Sequence, residues 1–358
     1  MHTALYGVHK GLNASFTDFA GWEMPVRYSS ELAEHRAVRR AAGLFDLSHM
    51  GEIELTGPEA AAALDYALVG TASAVKVGRA RYTMMCDPRG GILDDLVLYR
   101  FDERKFLVVA NASNAAVVFA ELIKRAGSFD TEVTDRSAET ALIAVQGPRA
   151  ADIVGSVTGA DLGGLRYYAS IPANVGGHDV VLARTGYTGE DGFELFLPAT
   201  EAADLWRVLT EAGAPAGLLP AGLACRDTLR LEAGMPLYGN ELTTEVSPFD
   251  ANLGRVVKFD KPDFVGKAAL AERREPAQVL AGLRGMGRRS PRHGYRVLDG
   301  EREVGTVTSG ALSPTLGYPI AMAYLPRELG EPGTELTVDI RGRIEPVEVV
   351  SLPFYQRA

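Results

Sequence analysis

The strongest constraint on the fold is a repeat inside the chain, at an offset of about 90 residues. Ile53-Glu54-Leu55-Thr56-Gly57-Pro58-Glu59-Ala60-Ala61 is paralleled by Ile143-Ala144-Val145-Gln146-Gly147-Pro148-Arg149-Ala150-Ala151. Each copy reads as a strand, a Gly-Pro turn and a helix, with Pro at the first helical position where its missing N–H costs nothing. The second halves match as well. Phe106–Ala110 leads into Asn111-Ala112-Ser113-Asn114 and a helix to Ala126, stopped by Gly127. Phe193–Leu197 leads into Pro198-Ala199-Thr200 and a helix to Ala212, stopped by Gly213. Ser113 or Asn114, and Thr200, are the expected N-caps. Each unit therefore reads β-α-β-β-α with room for a last strand, the ferredoxin-like split βαβ pattern, in which helices cover one face of an antiparallel sheet. Two such sheets facing each other would leave a cavity suited to a ligand.

Elements outside the repeat follow from local chemistry. Ser30 caps an expected helix with Glu31 and Glu34 in its first turn and Arg39-Arg40 at its end, an order that suits the helix dipole. Pro220–Gly234 reads as a further helix. From about residue 275 short β-rich runs alternate with Gly, Pro and Ser: Glu303–Val307, Ile320–Tyr324, Leu336–Ile340 and Val347–Val350. That texture predicts a small all-β barrel or sandwich, with the Arg-rich stretch Arg284–Arg296 as its entrance loop.

A chain of 358 residues predicts two or three domains. A net charge of −9 argues against a general nucleic-acid binder. Two cysteines, Cys86 and Cys225, without C-x-x-C spacing, and six scattered histidines give no basis for a disulfide framework or a metal site. No secretory leader and no apolar run of membrane-spanning length stands out, so the expected compartment is the cytoplasm.

The most informative chemistry lies in Gly90-Gly91-Ile92-Leu93-Asp94-Asp95-Leu96-Val97-Leu98-Tyr99. The Gly-Gly turn and the apolar run predict a hairpin arm, on which Asp94 and Asp95 point to opposite faces. Both faces are otherwise apolar, so at least one carboxylate enters a poorly solvated place. There it needs a partner, a shifted pKa or a ligand.

Four stretches accompany this arm: Asp18-Phe19-Ala20-Gly21-Trp22-Glu23-Met24-Pro25, Phe45-Asp46-Leu47-Ser48-His49-Met50, Gly186-Tyr187-Thr188-Gly189-Glu190-Asp191-Gly192-Phe193-Glu194, and the Arg226–Gly234 helix. Together they resemble the T-protein (aminomethyltransferase) family of the glycine cleavage system. The likeness runs in order down to Gly305-Thr306-Val307-Thr308-Ser309-Gly310 and Leu352-Pro353-Phe354. The resemblance implies an α+β, three-domain clover-leaf around a folate cavity: a discontinuous first folate-binding domain (1–48 and 138–245), an inserted second domain carrying the catalytic Asp (49–137), a connecting segment (246–274) and a C-terminal jelly-roll-like β-barrel (275–358).

The implied reaction moves a one-carbon unit from an aminomethyl group on the dihydrolipoyl arm of the carrier H-protein to tetrahydrofolate. The products are 5,10-methylenetetrahydrofolate, ammonia and the dihydrolipoyl carrier. The family's catalytic carboxylate falls on Asp95, leaving Asp94 a structural role. Its pterin-reading glutamate falls on Glu194, and its folate-contacting arginine on Arg226. Further folate contacts fall on Met50, Asn111, Tyr187 and Tyr355, with Tyr82, Tyr167 and Tyr168 as further candidate lining residues. Arg230, four residues after Arg226, reads as structural, as does His49 despite its neighbour Ser48, because no third group orients them. One position departs: relatives often carry an aromatic where this chain has Arg255, which puts the packing over folate in question. The arginines between Arg284 and Arg296 could meet an acidic carrier or the folate glutamate tail.

Two other functions share this fold. A non-catalytic assembly relative would carry a K-G-C-Y-x-G-Q-type segment. The comparable Arg230–Glu241 stretch lacks that cysteine. A folate-dependent demethylase of a small methylated substrate remains the alternative enzyme.

Overall fold

The computed structural model describes residues 1–357. In chain order its elements begin with α1 (Tyr6–Gly11), β1 (Ser15–Phe19), β2 (Trp22–Arg27), α2 (Glu31–Arg40) and β3 (Ala42–Asp46). The first repeat unit holds β4 (Gly51–Thr56), α3 (Ala60–Ala67), β5 (Arg79–Cys86), β6 (Ile92–Asp102), β7 (Lys105–Ala110), α4 (Ala115–Ala126) and β8 (Glu132–Asp135). The second holds β9 (Thr140–Gln146), α5 (Ala150–Gly155), β10 (Ser170–Val175), β11 (His178–Ala183), β12 (Gly192–Pro198), α6 (Ala202–Gly213) and β13 (Leu218–Pro220). After them come α7 (Leu223–Glu232), α8 (Lys267–Glu272) and six strands, β14 (Gln278–Gly285), β15 (Arg296–Asp299), β16 (Arg302–Leu312), β17 (Pro319–Pro326), β18 (Glu335–Asp339) and β19 (Ile344–Val350).

The repeat is visible in the sheets. One has the order β5-β6-β7-β4-β8, and the other β10-β11-β12-β9-β3-β13, so the first four positions correspond strand for strand. The Gly-Pro turns correspond in backbone too. Gly57 and Gly147 have φ of +143° and +141°. A Cβ on either would lie 2.6 Å from Asp130 O or 2.5 Å from Ala41 O, so both the conformation and the close approach require glycine.

Three details differ from the sequence expectation. Each unit has three strands between its helices rather than two. Ser170-Ile171-Pro172-Ala173-Asn174-Val175 pairs with β11 along its whole length despite Pro and Asn, because an edge strand tolerates a missing N–H. The helices after the Gly-Pro turns start at Ala60 and Ala150, leaving Pro58 and Pro148 in the turns. Asn114 stands at the N-cap of α4 without a capping side-chain bond, and Thr200 lies in a 3₁₀ turn ahead of α6. By contrast, Ser30 caps α2 by accepting from Ala33 N–H at 3.4 Å.

Contacts divide the chain into two compact units, residues 1–83 with 96–226, and residues 84–95 with 227 onward. The first has a core of Leu44, Ile143, Val145, Phe193, Leu195, Trp206 and Leu209, among others. In the second, the six C-terminal strands close into a barrel ordered β14-β17-β16-β15-β18-β19. Leu283, Val297, Val307, Leu325, Val338 and Val349 fill it. Arg284 and Arg296 are therefore strand residues, and only the segment between them is a loop. Most of these arginines are already engaged: Arg289 with Glu345, Arg296 with Asp339 at 2.6 Å, and Arg292 with the Gly310 carbonyl at 3.2 Å.

Candidate functional site

In the first unit the Gly-Tyr-Thr-Gly-Glu-Asp-Gly loop is shaped by one buried amide. A Cβ on Gly186 or Gly192 would lie 2.0 Å or 2.3 Å from the Gln146 side chain. Gln146 Nε2 donates to Thr185 O at 2.9 Å, and its Oε1 accepts from Thr188 Oγ1 at 3.0 Å. Arg39 ties down the loop's other side, donating to Thr188 O at 2.7 Å and to Glu190 at 2.8 Å. The glycines are thus needed for close packing on Gln146, and the loop is rigid.

That rigidity fixes three of the candidate residues together. The Arg226 guanidinium lies 4.8 Å from the Tyr187 ring centroid. Glu194, half-buried on β12, accepts from Tyr99 OH at 3.2 Å and from Thr185 Oγ1, both on its Oε2. Its Oε1 takes no hydrogen bond from the described residues. Burial holds the Arg226 pKa below its ordinary value, opposed by Tyr187 and the Glu194 carboxylate. Burial and then the Glu194 charge push the Tyr99 phenol well up, so Tyr99 stays a donor. The cluster presents one held carboxylate with a free oxygen beside a half-buried cation. Such a pair suits a flat heterocycle carrying adjacent N–H donors and a carbonyl.

Met50 and Asn111 also come together. Gly51 pairs with Ala110 at the end of the β4–β7 ladder, so the residues just beyond it, Met50 and Asn111, flank the same end. Both are half-buried. Tyr167 is 45% exposed and packs edge-on against Tyr168, so it contributes little enclosure. Tyr82 is half-buried on β5.

His49 and Ser48 form no catalytic pair. Ser48 Oγ accepts from Leu142 N–H at 3.1 Å. The His49 ring stands edge-on to Phe19, and its Nδ1 has no hydrogen-bond partner among the described residues. Burial, then the Arg226 charge, lower His49 to about 4, so it is neutral.

In the second unit the acidic arm is pinned by backbone. Gly90 turns with φ +84°, and the Asp87 carboxylate accepts from Arg89 N–H and Gly91 N–H at 2.8 and 2.9 Å. A Cβ on Gly91 would lie 1.8 Å from Thr244 O. Ile92 N–H bonds Thr243 O and Val246 O at 3.2 and 3.0 Å. The alternation on β6 then puts Ile92, Asp94, Leu96 and Leu98 on its buried face. Asp94 is the fully buried carboxylate, and Asp95 is partly accessible. The arm thus carries one buried and one partly accessible acid.

Tyr238, in the segment packed on this arm, was missed by the sequence reading. Burial, then the Asp94 and Asp95 charges, raise its phenol. Tyr355 is half-buried, its N–H bonded to Glu232 O at 2.8 Å. Arg255 is exposed on a 3₁₀ turn, Gly254–Val256.

Glu52 was also missed. It is fully buried on β4, and neither carboxylate oxygen has a hydrogen-bond partner among the described residues. Burial, then the Asp135 and Asp46 charges, hold its pKa well above the usual range. Between the ordinary Glu value and that raised one, the folded protein holds a proton the unfolded chain lacks. This contribution to stability is complete below the ordinary value and is lost as pH rises through the folded one. Glu52→Gln keeps a neutral group there. Its stability relative to the parent should therefore grow as pH rises above the ordinary Glu value, read from urea midpoints. A constant difference would remove Glu52 ionisation from the account.

A profile of the GCVT N-terminal domain matches residues 5–261, and one of the glycine cleavage T-protein C-terminal barrel domain matches residues 278–356. The chain is 62% identical to an aminomethyltransferase of Saccharopolyspora erythraea over 99% of its own length and 98% of that relative. It is equally identical, with the same coverage, to an aminomethyltransferase of Streptomyces avermitilis. Among solved structures, the glycine cleavage system aminomethyltransferase T from Bartonella henselae superposes with a TM-score of 0.94 at 39% identity, over 99% of this chain and 98% of that one.

Proposed function

The chain belongs to the aminomethyltransferase family, the T-protein of the glycine cleavage system, and from that premise we propose which of its residues carry the reaction. Tetrahydrofolate is the co-substrate. The carbon leaves a sulfur-bound aminomethyl group and bridges N5 and N10 of the folate. The two N–H protons displaced there leave with ammonia and with the released thiol.

Asp95 is the catalytic carboxylate in this proposal. It stabilises the positive charge that develops as the carbon passes through iminium-like states, and it takes a proton from the bridging nitrogens. The observation that carries the assignment is the split on the arm, with Asp94 buried and Asp95 presented. Glu194 reads the pterin through its free oxygen, Arg226 and Tyr187 hold the ring's polar and apolar sides, and Met50, Asn111 and Tyr355 add contacts. The six-stranded sheet, the five-stranded sheet and the barrel support a division into 1–48 with 138–245, 49–137 and 275–358 as domains. The carbon donor is the lipoyl carrier H-protein.

A coupled assay with aminomethyl-loaded lipoyl carrier and tetrahydrofolate tests this reading. Ammonia release that requires both components is expected. Folate binding without release, or turnover of a free methylated amine instead, overturns it. Glu194→Ala should weaken folate binding by about 2–4 kcal/mol, roughly 30- to 700-fold in Kd, because it removes the half-buried carboxylate that would accept the pterin N–H groups. Unchanged affinity by calorimetry would take Glu194 out of the site.

A further inference from the structure

The turn that carries Tyr238 is held from several sides within the second unit. Asn240 N–H and Glu241 N–H bond Leu237 O at 3.1 and 2.9 Å, and Gly239, with φ +92°, sends its N–H to Leu242 O at 2.8 Å. The Glu241 carboxylate, anchored by Arg230 of α7 at 2.9 Å, accepts from Leu237 N–H at 2.9 Å. Asn240 Nδ2 donates to Ser309 Oγ of β16 at 3.1 Å, and Tyr324 OH of β17 donates to Glu241 O at 2.7 Å. The backbone on both sides of Tyr238 is therefore fixed.

The chain just after this turn closes on the acidic arm. The β6–β7 ladder begins at Val97, so the first residues of β6 lie ahead of it. There Ile92 N–H bonds Thr243 O and Val246 O, and a Cβ on Gly91 would run into Thr244 O. Tyr238 stands at the entry to that contact, half-buried, with the charges of both Asp94 and Asp95 acting on its phenol. Its hydroxyl makes no hydrogen bond with a described residue.

A phenol beside two carboxylates can act only as a donor to them. Its own ionisation would add a third negative charge to the same place, so the proton stays on the oxygen. A ring needed for packing alone would be served by Phe, with no hydroxyl to desolvate. Asp94 is fully buried, and Asp95 is the partly accessible acid, so Asp95 is the one a half-buried donor can meet. Hydrogen bonds of this kind are often long in a ligand-free site and tighten in the complex.

We propose that Tyr238 is a positioning residue for Asp95: with tetrahydrofolate bound, its hydroxyl donates to the Asp95 carboxylate and holds it, as the anion, towards the bridging nitrogens. The proposal deepens the catalytic reading of Asp95 given above and rests on it.

The test is a double-mutant cycle of Tyr238→Phe and Asp95→Asn in the coupled assay, with calorimetric folate Kd and urea midpoints for each variant. Tyr238→Phe alone should lower kcat about 10- to 100-fold, the size of one hydrogen bond to a charged group, with folate Kd within about twofold of the parent. Its urea midpoint should match the parent, because the substitution keeps the ring and breaks no hydrogen bond of the described structure. In the Asp95→Asn background the same substitution should change kcat by less than about twofold, since no carboxylate is left to position. A parental kcat for Tyr238→Phe overturns the proposal. So does a loss of equal size in both backgrounds, or one that appears in folate Kd or in the urea midpoint instead of kcat. Asp95→Asn alone reports on the underlying reading: full turnover there sinks both, whereas a slow Asp95→Asn with an additive Tyr238→Phe loss sinks only the positioning role.

Discussion

Asp95→Asn is expected to leave tetrahydrofolate affinity within a few-fold of the parent and to lower kcat by about 10²- to 10⁴-fold, the usual range for loss of a positioned acid–base group. The substitution is nearly isosteric and keeps a hydrogen-bond acceptor on the accessible side of β6. It removes the negative charge and the proton acceptor. Backbone should not move, because the arm is held by Gly91 against Thr244 and by the Ile92 N–H bonds, none of which involves the Asp95 side chain. The split between kcat and Kd is therefore the informative readout. Equal losses in both would make Asp95 a binding group, and full turnover would end the catalytic assignment. Asp94→Asn is the useful contrast: it sits on the buried face, so its effect should appear in stability first.

Arg230→Met should destabilise the protein by about 3–5 kcal/mol, as expected when one member of a buried ion pair is removed. Arg230 is 1% exposed. It donates to Glu241 at 2.9 Å, Asp227 at 2.8 Å, Met235 O at 3.2 Å and Ser309 Oγ at 2.7 Å, joining the end of α7 to the following loop and to β16. Glu241 in turn accepts from Leu237 N–H at 2.9 Å, so removing the guanidinium leaves its carboxylate buried with a single donor. Arg230→Met/Glu241→Leu should recover part of the loss, since no charge is then stranded. Urea midpoints of the two variants check both statements. A single variant as stable as the parent would show that the pair contributes nothing.

Much of the architecture was legible because the relevant signals are local. Ser30, Glu31, Glu34 and Arg39-Arg40 mark α2 by capping and dipole chemistry alone. The twin Gly-Pro turns exposed the duplication, since a backbone that only glycine can adopt leaves a mark in the sequence. Strand parity put Asp94 and Asp95 on opposite faces. What was not legible depended on partners far along the chain. β10 carries Pro172 and Asn174, and only its pairing with β11 makes it a strand. Tyr238 lies some 140 residues from the acids it faces. Glu52 reads as an ordinary polar position on an alternating strand, and its isolation comes from neighbours no spacing rule reveals.

The strand order has a further outcome for how the protein behaves in crowded solution. A sheet end offers unsatisfied N–H and C=O groups on which a second molecule can assemble. The barrel has no such end. In the six-stranded sheet, one outer strand is the three-residue β13. The other, β10, is interrupted by Pro172 and covered near its tip, where Thr158 bridges to Val175 and bonds the Asn174 carbonyl at 2.7 Å. Replacing Pro172 by valine would restore a donor and a β-former on that rim, turning a guarded margin into a template for fibre-like stacking.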